Sequence, residues 1–156
     1  MAKVSIEHVN PFLKATIETY KLMLGDTPVA GKPKLVAGTG INYDISGVIG
    51  ISGDVRGSVS LSYPKSCALQ SVSAFLGEDV KELDPDVMDA IGELANIVAG
   101  YSKKFLTDFN ITISLPTVIK GEGLIIKEPP DVFAFIVPFK TAFGNFDLGV
   151  GLKVES

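Results

Sequence analysis

The chain has 156 residues, a formal net charge of −4 at pH 7 and 46% apolar residues. This length is typical of one domain, and the apolar content is sufficient for a compact core. The negative net charge disfavours a surface that binds nucleic acid or anionic membranes. The longest apolar runs, such as VFAFIV at 132–137, are far shorter than a membrane span. We therefore predict one domain over residues 1–156, with a protein or a small molecule as its partner and no nucleic acid or membrane.

The N-terminal residues and the cysteine content predict the cellular compartment. The first residues, MAKVSIEHVNPF, lack the apolar core of a signal peptide. Cys67 is the single cysteine of the chain and cannot form an internal disulfide, which is typical of a reducing environment. These features predict a cytoplasmic protein.

The first half of the chain predicts one helix followed by strands. Residues 5–24 carry apolar side chains at helical spacing, and Gly25 is suited to end this helix. Residues 25–34 are rich in glycine and proline and predict a loop. Two or three strands are predicted over residues 35–63. In the last of these strands serines alternate with apolar residues, and the GDVRG before it predicts a hairpin turn.

Two further helices are predicted in the middle of the chain, over residues 64–77 and from residue 84 to about residue 109. The third helix has clear start signals, because Asp84 is a good N-cap, Pro85 suits the first helical position, and Asp86 favours the positive end of the helix dipole.

Strands are predicted over the remainder of the chain, in ITISLPTVI, GLIIKE, VFAFIVPF and NFDLGVGLKV. The VFAFIV run is apolar on both faces, which is typical of a central strand. The order of helix, strands, two helices and strands predicts an α+β domain with helices packed on a mainly antiparallel sheet.

Residue types that many enzymes require are scarce. His8 is the only histidine, so the sequence predicts neither a Ser-His-Asp or Cys-His enzyme nor a zinc site. The glycines of GTG (38–40) and GEG (121–123) lack the spacing of a phosphate loop or a dinucleotide-binding motif, and we interpret them as turn residues. We expect His8 on the surface of the first helix and Cys67 in the core.

The third predicted helix has an unusual polar face. Its apolar residues form one stripe, and beside them a row of small residues that includes Gly92 would let a neighbouring element approach closely. Ile97 is predicted to be exposed near the polar residues. A glycine costs about 1 kcal/mol relative to alanine in a helix interior, so an exposed glycine favours close approach by another protein. At 100° per residue, five residues lie within about 60° of Glu93: Asp86, Asp89, Glu93, Asn96 and Gly100.

This face resembles the signature helix of the chemotaxis phosphatases CheC, CheX and FliY, in the run Asp89-x-x-x-Glu93-x-x-Asn96-x-x-x-Gly100. The family signature has a proline further along the chain, and Pro116 in SLPTVIKG supplies one somewhat earlier than usual. The hairpin GISGDVRGSVSLSY at 50–63 also resembles the one that precedes the second helix in CheX. The resemblance covers nearly the whole chain and implies a CheC/CheX-like fold.

Within this family the chain is more similar to CheX than to CheC. CheC carries the motif on its first helix as well as on its third. Here the first helix offers only Glu7-His8-Val9-Asn10, with Lys3 at the position of the expected Asp or Ser and Pro11 directly after the asparagine. We interpret this second Glu-x-x-Asn pair as fortuitous.

The resemblance implies a phosphatase that removes the phosphoryl group from the aspartyl phosphate of a CheY-type response regulator in chemotaxis signalling. It implies that Asn96 orients the attacking water and that Glu93 pairs with a lysine of the regulator. An asparagine amide offers an acceptor and two donors, so it can hold a water without transferring a proton. Asp89, Ile97 and Gly100 are expected to contact the partner. The protein would need no metal or cofactor of its own, because Mg²⁺ is expected on the regulator.

The resemblance also implies a homodimer that pairs through its sheets. GSVSLSY and VFAFIV both lack the lysine or proline that normally protects a sheet edge. If either strand lies at an edge, pairing with a second copy would satisfy its free backbone groups.

Two alternative functions remain open. One is a non-catalytic module that binds a response regulator or the flagellar switch on the same fold, although FliM-type domains lack the Glu-x-x-Asn pair. The other is an unrelated hydrolase that uses Asp86, Asp89 and Glu93 as acid and base. Carboxylates on an open helix are not desolvated, which disfavours this second alternative. The regulator that is served and any dependence on other chemotaxis proteins are left open.

Overall fold

The computed structural model of the protein describes residues 4–35, 43–124, 129 and 131–155. A 3₁₀ turn, Ile6–Val9, leads into α1 (Asn10–Leu24), and the later helices are α2 (Lys65–Leu76) and α3 (Pro85–Phe105). The strands of the described residues are β1 (Val29–Ala30), β2 (Lys34–Leu35), β3 (Tyr43–Gly53), β4 (Val55–Tyr63), β5 (Ile111–Ile113), β6 (Thr117–Leu124), β7 (Phe133–Thr141) and β8 (Gly144–Val154).

The eight strands form one antiparallel sheet. Its main order is β1-β7-β8-β4-β3-β5, while β2 also pairs with β7 and β6 also pairs with β3. The predicted α+β fold with helices on an antiparallel sheet is confirmed. The hairpin predicted at GDVRG is present, because β3 and β4 pair from Ile45↔Tyr63 to Ile51↔Gly57.

VFAFIV forms most of β7, which has partners on both sides as predicted but lies next to the edge and not in the centre of the sheet. On one side β7 pairs along its whole length with β8. On its other side it pairs with the two-residue strands β1 and β2, and Pro138 accepts from the backbone N–H of Gly31 over 2.7 Å. One face of β7 carries Phe135 and Val137, which are buried. The other face carries Ala134 and Ile136, which are only half-buried. The GSVSLSY strand, β4, is the one that lies in the centre, between β3 and β8.

A cluster of stacked aromatic rings joins the helices to the sheet. The ring of Phe146 on β8 lies 4.9 Å from Tyr20, 5.0 Å from Tyr63 and 5.2 Å from Phe139, measured between centroids. The hydroxyls of Tyr20 and Tyr63 are 2.8 Å apart, and Tyr20 also donates to Ser71 of α2 over 3.1 Å. Each large apolar side chain buried in this way contributes about 1.5–3 kcal/mol. This cluster therefore fixes α1 and α2 against the centre of the sheet.

The opposite face of the sheet has a polar centre. Ser46 and Ser62 are bonded through their hydroxyls at 2.7 Å, and the Tyr43 hydroxyl donates to the carboxylate of Asp147. Asp147 is only 7% exposed, and this burial raises the pKa of its carboxyl. The polar groups of this face are thus satisfied within the chain.

The predicted helix ends are largely confirmed. Gly25 and Gly77 close α1 and α2 in the left-handed conformation, with φ of 69° and 70°. The side chain of Asp84 caps α3 by accepting from the backbone N–H of Val87 over 2.9 Å. Pro64 precedes α2 as its N-cap and is not its first helical residue.

Three element boundaries differ from the prediction. α3 ends at Phe105, four residues earlier than expected, because the chain turns there to bury Leu106 and Phe109. The predicted loop 25–34 contains β1 and the start of β2, which pair with β7. The predicted strand ITISLPTVI is split into β5 and β6 by a short irregular turn at residues 114–116, after which the chain continues along β3.

The turn predictions for the two glycine-rich segments have different outcomes. GEG at 121–123 belongs to β6, so its interpretation as a turn is wrong, although Gly123 has a positive φ of 66°. GTG at 38–40 and most of the predicted strand GLIIKE lie outside the described residues.

The prediction that His8 is a surface residue is wrong. His8 is 8% exposed, its Nε2 lies 2.8 Å from a carboxylate oxygen of Asp108, and its Nδ1 accepts from the backbone N–H of Ser5 over 3.0 Å. Its ring also lies 4.9 Å from that of Phe109. His8 does not lie on the surface of α1, because residues 6–9 form a 3₁₀ turn that packs against the chain after α3.

Cys67 lies in the core as predicted, with 2% of its surface exposed. Burial raises the pKa of its thiol to about 11, so the thiol is inert at neutral pH. None of the described helices combines the length and the apolar character that crossing a membrane requires.

Candidate functional site

The apolar stripe of α3 anchors the helix in the core. The stripe predicted from helical spacing is confirmed, with Tyr101 and Phe105 partly buried at its C-terminal end. Its fully buried members are Val87, Ile91, Leu94 and Val98.

The row of small residues on α3 brings the helix close to the sheet. Gly92, Ala95, Ala99 and Ser102 are all buried. A Cβ atom added to Gly92 would lie 3.1 Å from Cγ2 of Val118 on β6 and 3.5 Å from the ring of Pro116. A Cβ on Gly47 of β3 would likewise lie 3.1 Å from that of Ala95. Glycines on both elements therefore allow this close approach, and the structural use predicted for Gly92 is confirmed.

The polar face of α3 points away from the core. Asp86, Asp89, Glu93 and Gly100 are exposed, whereas Asn96 and Ile97 are half-buried. The prediction that Ile97 and Asn96 are fully exposed is therefore too strong. Both residues lie at the margins of the polar face. Ile97 is on the side of the apolar stripe, and Asn96 is on the side of the small residues.

Glu93 and Asn96 have no partner within the described residues. Neither side chain forms a hydrogen bond or an ion pair there. The described part of the chain also contains no buried side-chain nitrogen or oxygen without a partner, so the amide of Asn96 must reach solvent. Residues three apart on a helix are neighbours, about 5–6 Å apart at Cβ. An unpaired carboxylate and an unpaired amide therefore lie side by side on one surface.

Gly100 has no packing role that the described residues reveal. A Cβ atom added there would meet nothing within 4 Å, in contrast to one at Gly92. Two glycines of the same helix thus differ in environment, since Gly92 faces the sheet and Gly100 faces solvent. The absence of a side chain at position 100 leaves helix backbone open to a partner.

The chemistry that this face can perform alone is limited. Three or more His, Cys, Asp or Glu side chains are nowhere grouped to hold a metal ion in the described ranges. A carboxylate and an amide on a convex, solvated helix lack the desolvation that makes an effective acid–base pair. Such groups are better suited to complete a reaction site on another macromolecule.

Sequence reasoning did not identify the turn between β5 and β6 as a neighbour of this face. Pro116 at that turn lies against Gly92, and Leu115 before it is 87% exposed. The alternation of Ile111 and Ile113 would place Leu115 in the core if the strand continued. The proline was the available signal that the strand breaks at this point.

The fold is that of the chemotaxis phosphatases of the CheC/CheX type. The family model described as "Chemotaxis phosphatase CheX" matches residues 45–140. The CheY-P phosphatase CheX of Thermotoga maritima is 35% identical over 152 residues, which cover 95% of this chain and 96% of that protein. The chain therefore belongs to the CheX family, and it is a phosphatase.

Solved structures agree with this assignment. The crystal structure of CheX from Desulfovibrio desulfuricans matches with a TM-score of 0.86 and 32% identity, covering 96% of this chain and 99% of that one. The CheX–CheY–BeF3–Mg²⁺ complex from Borrelia burgdorferi matches with a TM-score of 0.79 and 26% identity, with the same coverage of 96% and 99%.

Proposed function

We propose that this protein dephosphorylates the aspartyl phosphate of a CheY-type response regulator in chemotaxis signalling. The observation that carries the proposal is the pair of Glu93 and Asn96, which lie side by side on α3 and are bonded to no other described residue. The Thermotoga maritima relative is named a CheY-P phosphatase, and the Borrelia burgdorferi structure holds CheX together with CheY. Both names support a regulator as the substrate.

In this proposal Asn96 positions the attacking water. The regulator supplies Mg²⁺ and a lysine, which neutralise the phosphoryl oxygens. The amide oxygen of Asn96 accepts a hydrogen bond from the water and holds it in line with phosphorus. The water oxygen forms a bond to phosphorus, the bond between phosphorus and the aspartate oxygen breaks, and inorganic phosphate and a free carboxylate result. A hundredfold acceleration by orientation corresponds to about 2.7 kcal/mol.

Glu93 orients the helix on the regulator. Its exposed carboxylate forms an ion pair with the lysine of the regulator, which places Asn96 over the phosphoryl group. Asp89 lies one turn before Glu93 on the same face and also contacts the regulator. Ile97, next to Asn96, adds an apolar contact with the regulator. Gly100 allows the backbone of the partner to approach, since nothing in the described chain occupies the space at its Cα.

Assembly and compartment complete the proposal. The protein acts as a homodimer in the cytoplasm, where a reduced thiol such as Cys67 is stable. It carries no metal or cofactor of its own, and the Mg²⁺ belongs to the regulator.

The substitution Asn96→Ala tests the proposal. Phosphate release from each phosphorylated CheY-type regulator of the same genome is measured with and without the protein. The parent should accelerate release, and Asn96→Ala should remove the acceleration while it still binds the regulator loaded with beryllofluoride and Mg²⁺. Asn10→Ala is the matched control, because Asn10 is exposed and also follows a glutamate by three residues.

Each outcome of this experiment has one meaning. An Asn96→Ala variant that releases phosphate as fast as the parent rules out the water-positioning role. A parent that binds the regulator without accelerating release is a binding module and not its phosphatase. Loss of activity in Asn10→Ala would reveal a second working motif at the start of α1.

A further inference from the structure

We infer that Leu115, at the turn between β5 and β6, is a second contact point for the response regulator and determines affinity together with α3. The inference rests on the proposed function and adds a residue to the same docking surface. Its partner is the part of the regulator surface that lies over this side of the motif.

The turn that carries Leu115 is held firmly against the sheet. The backbone N–H of Ser114 donates to the carbonyl of Gly50 over 2.9 Å, and the N–H of Gly50 donates to the hydroxyl of Ser114 over 2.8 Å. That hydroxyl also donates to the carbonyl of Leu115 over 2.8 Å. Pro116 restricts the backbone at the next position. Leu115 is therefore presented by an ordered turn, and its exposure does not come from a loose segment.

The turn and the Glu-x-x-Asn pair share one surface. Pro116 and Val118 lie against Gly92, with separations of 3.5 and 3.1 Å from the position of an added Cβ atom. Gly92 precedes Asn96 by four residues, and residues four apart are neighbours on a helix. The turn therefore flanks the motif on the side of Asn96. In the proposed complex, a regulator whose phosphorylated aspartate faces Asn96 also covers this turn.

Leu115 is also chemically distinct from the face that it flanks. It is 87% exposed, more than any other large apolar side chain of the described chain, where the next values are 65%. Residues 111–119 carry no charge, whereas the polar face of α3 carries Asp86, Asp89 and Glu93. Single exposed apolar residues are common on proteins. An ordered leucine beside the motif, however, is placed to bury its side chain against a partner that docks on the motif.

Affinity and turnover of Leu115 variants test the inference. Leu115→Asp should weaken binding of a regulator loaded with beryllofluoride and Mg²⁺ by about tenfold or more, and Leu115→Ala by about threefold to tenfold. The rate of phosphate release at saturating regulator should stay at the parental level, because Leu115 does not touch the reacting atoms. Leu115→Met should retain affinity within about twofold, since it preserves the apolar side chain.

Leu35→Asp is the matched control. Leu35 is 65% exposed on β2, which pairs with β7 at the opposite end of the sheet from β5 and β6. The Leu35→Asp variant should bind the beryllofluoride-loaded regulator with parental affinity. Parental affinity in Leu115→Asp, or an equal loss in Leu35→Asp, overturns the inference.

The two proposals can fail separately. If Asn96→Ala loses activity while Leu115→Asp binds like the parent, only the role of Leu115 is refuted. If the parent binds a regulator without accelerating phosphate release, the proposed function fails, and the affinities of the Leu115 variants still decide the role of Leu115. If the parent binds no candidate regulator, both proposals fail.

Discussion

At the scale of single residues, the candidate site depends on where Glu93 and Asn96 lie on α3 more than on any bond that their side chains form within the chain. Glu93 and Asn96 are not held by hydrogen bonds to other described residues. Their separation is set by the helix, which advances about 1.5 Å per residue and places residues three apart on one face. Since the water-orienting role proposed for Asn96 needs no proton transfer, a half-buried amide in a fixed place is sufficient for it.

Replacing Glu93 should affect binding more than the chemical step. Glu93→Ala is expected to weaken binding of the beryllofluoride-loaded regulator by about threefold to tenfold, because it removes an ion pair across the interface. The affinity of the variant should also depend less on salt than that of the parent. Titrations at low and high ionic strength measure both effects.

Glu78→Ala is a suitable control for this experiment, because Glu78 is exposed in the connection between α2 and α3. It should bind the regulator like the parent at both salt concentrations. Parental affinity and parental salt dependence in Glu93→Ala would remove Glu93 from the docking surface.

At the scale of elements, α3 is placed by small residues on both sides of its contact with the sheet. A Cβ atom added to Gly47 on β3, or to Gly92 on α3, would lie 3.1 Å from the nearest side-chain carbon of a neighbouring element. The aromatic cluster holds α1 and α2 against β4, β7 and β8. The polar face of α3 is therefore supported by a closely packed base.

The two glycines of α3 should respond differently to alanine. Gly100→Ala is expected to raise the free energy of unfolding by about 0.5–1 kcal/mol, because alanine is the better helix former and the added methyl meets open space. It should also weaken regulator binding. Gly92→Ala should gain less stability than Gly100→Ala, since its methyl would crowd Val118.

Urea unfolding of the two variants, combined with regulator titration, measures these effects. A stabilised Gly100→Ala variant with parental affinity would show that the regulator does not approach the helix at position 100. Equal stabilisation at both positions would contradict the close packing of α3 on β6.

At the scale of the whole molecule, the strand order restricts how two copies could pair. β4 lies between β3 and β8, so GSVSLSY cannot serve as an edge. Of the two strands considered from the sequence, only β7 lies near an edge of the sheet, where just the short strands β1 and β2 pair with its outer side. We therefore expect the β7 side of the sheet to be the better candidate for a pairing surface.

Sedimentation at micromolar concentration tests the homodimer. The expected species has twice the 16.5 kDa mass of one chain. Phe133→Lys should shift the protein toward monomer, because Phe133 is 53% exposed at the start of β7 and a charge there would oppose pairing. Leu22→Lys, at an exposed leucine of α1, is the control and should leave the mass unchanged. A parental species near 16.5 kDa contradicts the dimer.

Local sequence signals were sufficient for the helices and for the face that carries the candidate site. The caps at Asp84, Gly25 and Gly77 were predicted because capping depends only on residues within one turn. The polar and apolar faces of α3 followed from helical spacing in the same way. The resemblance to the CheC, CheX and FliY phosphatases, confirmed by the family match, also rested on residues of this helix.

Tertiary structure decided the features that depend on contacts between distant parts of the chain. Strand alternation identifies β4 and β7 as strands, but their places in the sheet depend on which strands pair with them. His8 is buried because Asp108, one hundred residues away, bonds to its ring. Ser114 bonds to Gly50, and Pro116 lies against Gly92, so residues far apart in the sequence place the turn that carries Leu115. Such contacts form only when the whole chain packs, so short-range periodicity does not contain them.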